Sequence, residues 1–484
     1  MSAKNYFSKI AFAIIFLFAM NASANNVQIT GTSVSGSNIT FNISWDNSWN
    51  ANIAPANWDA VWVFIKYQDC NTRLWAHAGL STIAGDHSTS SPLQVDPTTD
   101  GKGVFIRRSA LGGGSVAATS VTLKMTIPAG TYNYKVFGIE MVNVPQGAFD
   151  LGDGAAVSTF NSISVTATSQ SGGLTAAAIG GTSVAVPATF PMGYNAVYCM
   201  KYEISQEQYV EFLNSLTYDQ QKARTVNDPI SAAGTYAMFA GYYYRNGIRI
   251  STPGNNNAIP AVYVCDATAG VENNINDGQN IAMNDLSWAD LTAYLDWAAL
   301  RPMTEMEYEK ICRGTLPRAT GEYAWGTNTI NAINSTVVAN ALQPNESFAS
   351  ILNGLCNYGL NSGAVGYGPV RCGIFATGTS GRASSGASYY GAMEMSGNVW
   401  ERVVTLANTS GSAFTGTLGD GTLTPLGEAN QSTWPSPATA VGTGYKGGAW
   451  NTYGPYNYEQ LSNRSFSATA DATRNYSFGG RGVR

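Results

Sequence analysis

Histidine is almost missing from this chain. Of 484 residues only two are histidine, His77 and His87, and nothing after the first third contains one. A nucleophile–histidine triad, a histidine-ligated zinc site or a three-histidine iron centre therefore cannot be assembled in the last two thirds. Charge is sparse as well. Charged residues make up 12% and the net charge is -5, which provides no footprint for nucleic acid or for an anionic membrane surface. Long apolar runs are also lacking. The one at Ile10–Met20 follows Lys4 and Lys9 and precedes Ala22-Ser23-Ala24. It is too short to span a bilayer and reads as a secretory signal peptide, residues 1–24, leaving Asn25 as the first mature residue. No cysteine stands at the cleavage point, so no lipid anchor is expected there, and no later run is long enough for a membrane span. The expectation is a soluble, exported protein that is periplasmic, cell-surface or extracellular.

Cysteine is scarce but even in number: Cys70, Cys199, Cys265, Cys312, Cys356 and Cys372. Six cysteines allow 15 pairings. Cys356 and Cys372 are close enough to bracket one loop and are the expected pair. Cys312, inside a helical pattern, reads as a buried thiol.

What is present divides into two textures. From Val27 to about Val165 the pattern is strands: "VQITGTSVSGSNITFNISW", "WDAVWVFIKYQ", "VTLKMTIP" and "TYNYKVFGIEMV" alternate or run apolar between Gly, Pro and Asp clusters. Short strands without helical period predict a β-sandwich over 25–168. Five tryptophans (Trp45, Trp49, Trp58, Trp62, Trp75) crowd into it and are expected mainly in its core, with a sugar-stacking face as the alternative. Residues 169–186, within a small-residue, nearly uncharged stretch, read as a linker. After Phe190 helices appear. Ser205 and Gln208 form a capping box for a helix burying Tyr209, Phe212, Leu213 and Leu216. A second helix is capped by Ser287, carries Trp288, Leu291, Leu295 and Ala298 on one stripe, and is expected to stop at Pro302. Thr304 and Glu307 cap a third. Beyond Gly314 the chain is Gly-, Asn- and Ser-rich. The fold class predicted is α+β.

Five segments stand in order: "YCMKYEISQEQYVEFLN" (198–214), "LRPMTEMEYEKICRG" (300–314), "EYAWG" (322–326), "YYGAMEMSGNVWER" (389–402) and "YKGGAWN" (445–451). Together they resemble the sulfatase-modifying-factor family, whose best-known members are the formylglycine-generating enzymes. The resemblance covers 187–484 and implies the family's C-type-lectin-like fold. It also implies structural calcium. The carry-over falls on Glu394 and Glu401 as side-chain ligands, on Gly397 and Val399 as carbonyl ligands, and on Asn357 at the family's other calcium site. The family more often has Asp at 394. Hard oxygen donors are what calcium requires. The alternative is that both glutamates cap a turn and pair with Arg402 or Arg371. Around the third helix, Arg301, Glu305, Glu307 and Glu309 are structural by resemblance and, by composition alone, a solvated face.

The resemblance also locates an active site. Formylglycine-generating enzymes hold copper(I) with two cysteine thiolates, and soft sulfur suits that ion. Those positions here are Thr452 and Asn457, and the active-site serine falls on Ala449. No copper is expected. The stretch "KGGAWNTYGPYNYE" (446–459) instead offers tyrosines and asparagines, a composition suited to binding surfaces. The expected contact surface is Asn451, Thr452, Tyr453, Tyr456, Asn457, Tyr458 and Glu459, with Trp450 turned inward. The leading expectation is a secreted, non-catalytic binding or assembly protein contacting a protein or glycan. The alternatives are an active oxidase of the family and a structural component of a cell-surface or secretion assembly capable of self-assembly.

Overall fold

The computed structural model describes residues 26–484 except 155–157, 240, 242–243, 256–258, 269, 334–337, 349–351, 360–366 and 455–456. The expected signal peptide, 1–24, lies outside the described residues.

Two sheets face each other in the N-terminal third. In the smaller, strand Asn38–Asn50 pairs with Gln28–Ser35 on one side and Gly112–Thr126 on the other. Its side chains alternate, so Ile39, Phe41, Ile43 and Trp45 all point inward. The facing sheet is built around Asp59–Asp69, between Tyr132–Val144 and Val104–Arg108. Its first eight residues are buried. Val61, Val63 and Ile65 share a core with the smaller sheet, and Ala60, Trp62 and Phe64 join the core of the helical half. Burial on two faces explains the apolar run "AVWVFI". Trp45 and Trp62 fill cores as expected, whereas Trp49, Trp58 and Trp75 are only partly covered.

The larger sheet does not end where the first texture ends. Beyond Tyr132–Val144 it continues through Val197–Met200, Gly482–Val483 and Arg301–Pro302. One sheet thus joins strands from the expected sandwich to strands from the expected second domain. Residues 169–186, expected as a linker, are packed against the main core. The segment forms short helices Ala167–Gly172 and Ala176–Ile179, buries Ile179 and Val186 in the main core, and Thr182 Oγ1 donates to Leu406 O. Small uncharged residues suit close packing as well as flexibility, and composition alone does not separate the two. Polar ties cross the same seam. Trp62 Nε1 donates to Ala298 O (2.9 Å), Asn57 Nδ2 to Tyr390 O (2.9 Å) and Lys66 Nζ to Gly421 O (2.7 Å), and Lys201 pairs with Glu140 at 3.0 Å.

The three helices form where capping predicts them. Gln206–Leu213, Trp288–Trp297 and Glu305–Arg313 each carry a complete capping box. The second ends earlier than Pro302 because Ala299 is left-handed (φ 55°) and the chain turns into the strand Arg301–Pro302. Glu305, Glu307 and Glu309 are buried rather than solvated. Each meets a buried cation: Arg464 with Glu305 at 2.6 Å, Arg301 with Glu307 at 2.6 Å, and Arg313 with Glu309 at 3.1 Å. The architecture is sheet-rich with few helices, compatible with α+β.

Candidate functional site

A three-stranded sheet positions both regions singled out by sequence. Trp400–Val404 lies between Thr443–Lys446, antiparallel, and Phe478–Gly479, parallel. The turn 394–399 feeds one strand, and Lys446 leads directly into Gly447-Gly448-Ala449-Trp450. The glycine pair is required by close approach. Both residues have positive φ (85° and 71°). A Cβ on Gly447 would lie 2.6 Å from Met395 O, and one on Gly448 would lie 2.8 Å from the Glu459 side chain.

The turn is dense with buried oxygens. Glu394 is 3% exposed. Its Oε2 accepts from Gly373 N (2.9 Å), and Oε1 has no hydrogen-bond partner. Burial pushes its carboxyl up to about 7 despite Gly373 N–H, Arg481 and Arg371. Glu401 is fully buried. Its Oε1 accepts from Arg481 Nε at 2.5 Å, while Oε2 is unpartnered. Its cation is therefore Arg481, not Arg402 or Arg371. Gly397 N donates to Gly447 O (2.7 Å) and Val399 N to Glu203 Oε1 (3.1 Å). Asn357, 1% exposed, donates through Nδ2 to Gly368 O (3.2 Å) and Asn398 Oδ1 (3.0 Å), and its Oδ1 is unpartnered. Among the described residues no group of three or more His, Cys, Asp or Glu side chains is arranged to hold a metal. Any cation here needs neutral oxygens beside the carboxylates. Three buried orphan oxygens, all hard donors, fit calcium in chemistry.

Sequence reading missed Glu203, Asn398 and Arg481. Glu203 is fully buried and holds both Asn398 Nδ2 (2.5 Å) and Val399 N. Burial raises its carboxyl well above the usual range, with Arg481 opposing. The available signal was a lone acid between Tyr202 and Ile204, two residues before a capping serine.

The loop after Trp450 divides into an inside and an outside. Trp450 is fully buried, as expected, with Nε1 on Tyr476 O (3.3 Å). Tyr453 is 78% exposed, and Asn457 is exposed in the left-handed region (φ 48°). Tyr456 lies outside the described residues. The remaining residues of the expected surface are less available. Tyr458 is half-buried against Phe466 (5.0 Å) and Trp400 (5.9 Å). Asn451 is half-buried with an unpartnered Oδ1. Glu459, only 4% exposed, is not a surface residue. Thr452 Oγ1 lies against Ala449 O (2.7 Å) and the Glu459 carboxylate, closing the loop. Burial is the largest influence on Glu459 and raises its pKa. Thr452 thus carries a hydroxyl engaged with a carboxylate, and Asn457 an exposed amide.

All six cysteines are free, and all but Cys70 are buried. The expected Cys356–Cys372 bridge is absent. The two thiols serve different carbonyls, Cys356 that of Ser396 (3.1 Å) and Cys372 that of Glu203 (3.6 Å). Burial raises both well above the usual thiol range, which disfavours thiolate. A groove of about 540 Å³ lies between Asn26–Thr32, Tyr134–Gly138 and the helix Gln206–Leu213, at neither candidate region. No described helix is long and apolar enough to cross a membrane.

A search of curated proteins returns no match for this chain. A family model, the sulfatase-modifying factor enzyme 1-like domain, matches residues 133–484. The match begins in strand Tyr132–Val144, the strand through which the large sheet passes from one half to the other. The chain belongs to the sulfatase-modifying factor family.

Proposed function

We propose that this protein is an exported, non-catalytic member of its family that works by binding or assembly. Its contact surface is centred on Tyr453 and Asn457, and its partner is a protein or glycan at the cell surface or beyond. The observation that carries the reading is the closed loop 449–459. Where relatives would place a serine and two thiolates, this chain has Ala449, a Thr452 hydroxyl turned onto the Glu459 carboxylate, and the exposed amide of Asn457. None of these is a soft ligand for copper(I). A large exposed tyrosine near an exposed asparagine combines rigid area with adaptable hydrogen bonding. In this reading the facing N-terminal sheets form a β-sandwich fused to a C-type-lectin-like unit. One calcium would be held by Glu394 and Glu401 with the Gly397 and Val399 carbonyls, and Asn357 would serve the other calcium site; the first would supply a positive charge that neutralises buried carboxylates and fixes the turn.

Two measurements test this. Copper(I) titration under reducing conditions is expected to give no tight stoichiometric site; tight binding lost on Cys→Ala substitution would establish the oxidase instead. A photo-crosslinking residue at position 453 is expected to capture a discrete partner in the producing cells, whereas one at exposed Leu426 does not. Equal labelling from both positions would remove the loop from the contact surface.

A further inference from the structure

The amide of Asn357 can present its oxygen as a free donor only if something commits its nitrogen elsewhere. The commitment begins far earlier in the chain, at Glu203. Both side-chain oxygens of Glu203 act as acceptors. Glu203 Oε2 therefore takes the NH₂ of Asn398 (2.5 Å), while Oε1 takes Val399 N–H (3.1 Å). With its nitrogen fixed, Asn398 must turn Oδ1 the other way, where it accepts from Val370 N (2.8 Å) and Asn357 Nδ2 (3.0 Å). Asn357 Nδ2 is then used up on Asn398 Oδ1 and Gly368 O (3.2 Å), and Asn357 Oδ1 is left buried without a partner. The backbone reinforces the chain, because Asn398, left-handed at φ 64°, donates its own N–H to Asn357 O (2.9 Å). Every member is buried: Glu203 and Asn398 at 0%, Asn357 at 1%. All three side chains are shielded from bulk solvent.

We propose that Glu203 is a positioning residue shared by the two candidate calcium sites, that of Asn357 and that of the Val399 carbonyl. It sets the donor–acceptor polarity of a Glu203–Asn398–Asn357 relay so that Asn357 offers oxygen rather than NH₂, and through Val399 N–H it also fixes the backbone that carries the Val399 carbonyl. This rests on the calcium reading above. Outer-shell partners of this kind orient ligands and typically change metal affinity roughly 10- to 100-fold.

The experiment is calcium titration of the full mature chain by calorimetry, with the calcium-induced rise in Tm as second readout. Wild type is expected to bind and be stabilised. Glu203→Gln can present NH₂ to Asn398, reverse the relay and leave Asn357 with NH₂ where oxygen is needed. It is expected to lose calcium affinity by about 10-fold or more. The double variant Glu203→Gln with Asn398→Asp gives every donor an acceptor again. The glutamine amide introduced at position 203 donates to the carboxylate introduced at position 398, and that carboxylate still accepts from Val370 N and Asn357. The double variant is expected to recover wild-type affinity. Absence of any calcium response in wild type overturns the calcium reading and this inference with it. A calcium-binding wild type with an unchanged Glu203→Gln overturns the relay alone. Should Glu203→Gln not fold, the double variant decides: a folded double variant with wild-type affinity supports the relay. One that binds weakly, or that also fails to fold, overturns it.

Discussion

Asp285 lends itself to the sharpest test among the buried acids, because nothing satisfies it. It stands three residues before the helix Trp288–Trp297, is fully buried, has a left-handed backbone (φ 64°), and neither carboxylate oxygen has a hydrogen-bond partner. Burial pushes its pKa from 3.8 to about 8, with Arg474 pulling down and Asp290 pushing up. The folded chain therefore holds a proton that the unfolded chain releases above about pH 4. The contribution of this group to stability falls as pH rises from about 4 to about 8. At about 1.4 kcal/mol per pH unit, the loss between pH 4 and pH 7 is about 4 kcal/mol, a large share of a typical domain's 5–15 kcal/mol. Asn keeps the shape, cannot ionise and tolerates the left-handed region. Asp285→Asn should match wild type near pH 4 and exceed it progressively above, by up to about 4 kcal/mol near neutrality. The assay is urea unfolding across this pH range, read as the difference between the two proteins so that other titrating groups cancel. A flat difference curve, or a variant less stable than wild type at neutral pH, would refute the reasoning.

Other outcomes follow from packing and charge. Arg464→Met removes the ion-pair partner of the buried Glu305 carboxylate, which keeps the Leu406 N–H; chemical denaturation should report a loss of about 3–5 kcal/mol. Gly314→Ala drives a methyl into the Tyr389 ring at a φ of 64°. Its cost should be about 2 kcal/mol or more, seen as a lower Tm. The denatured protein should titrate with six thiol equivalents without reductant, and dithiothreitol should leave the melting curve in place. A chain beginning at Tyr132 should fail to fold or should aggregate, because strand Tyr132–Val144 would lose its eleven-residue pairing with Asp59–Asp69; a soluble, cooperatively unfolding product would contradict the continuous sheet.

The helices were legible because their signals are local. Ser205 with Gln208 and Thr304 with Glu307 place a hydroxyl and an amide or carboxylate three residues apart, and the structure closes both boxes. The family was legible because its motifs are contiguous. The continuity of the large sheet was not, because a sheet is defined by partners distant in sequence: Cys199 meets Val483 and Met141 meets Met200, and no window of composition contains either pair. The charged helix face misled for a similar reason. Glu305 looks solvated until Arg464, 159 positions on, is brought to it, and Glu309 until Lys446 closes over it, while Arg301 and Arg313 meet Glu307 and Glu309 from within the same stretch. In the Tyr- and Asn-rich loop, residue type revealed contact chemistry but not direction. Tyr453 points outward and Tyr458 packs inward only five positions later, because Trp400 and Phe466 provide a wall for one and nothing described covers the other. The same limit explains Glu203. Its significance lies in accepting from Asn398, 195 positions away. A lone acid before a capping serine becomes interpretable only when the segment carrying it is laid beside the turn it orders.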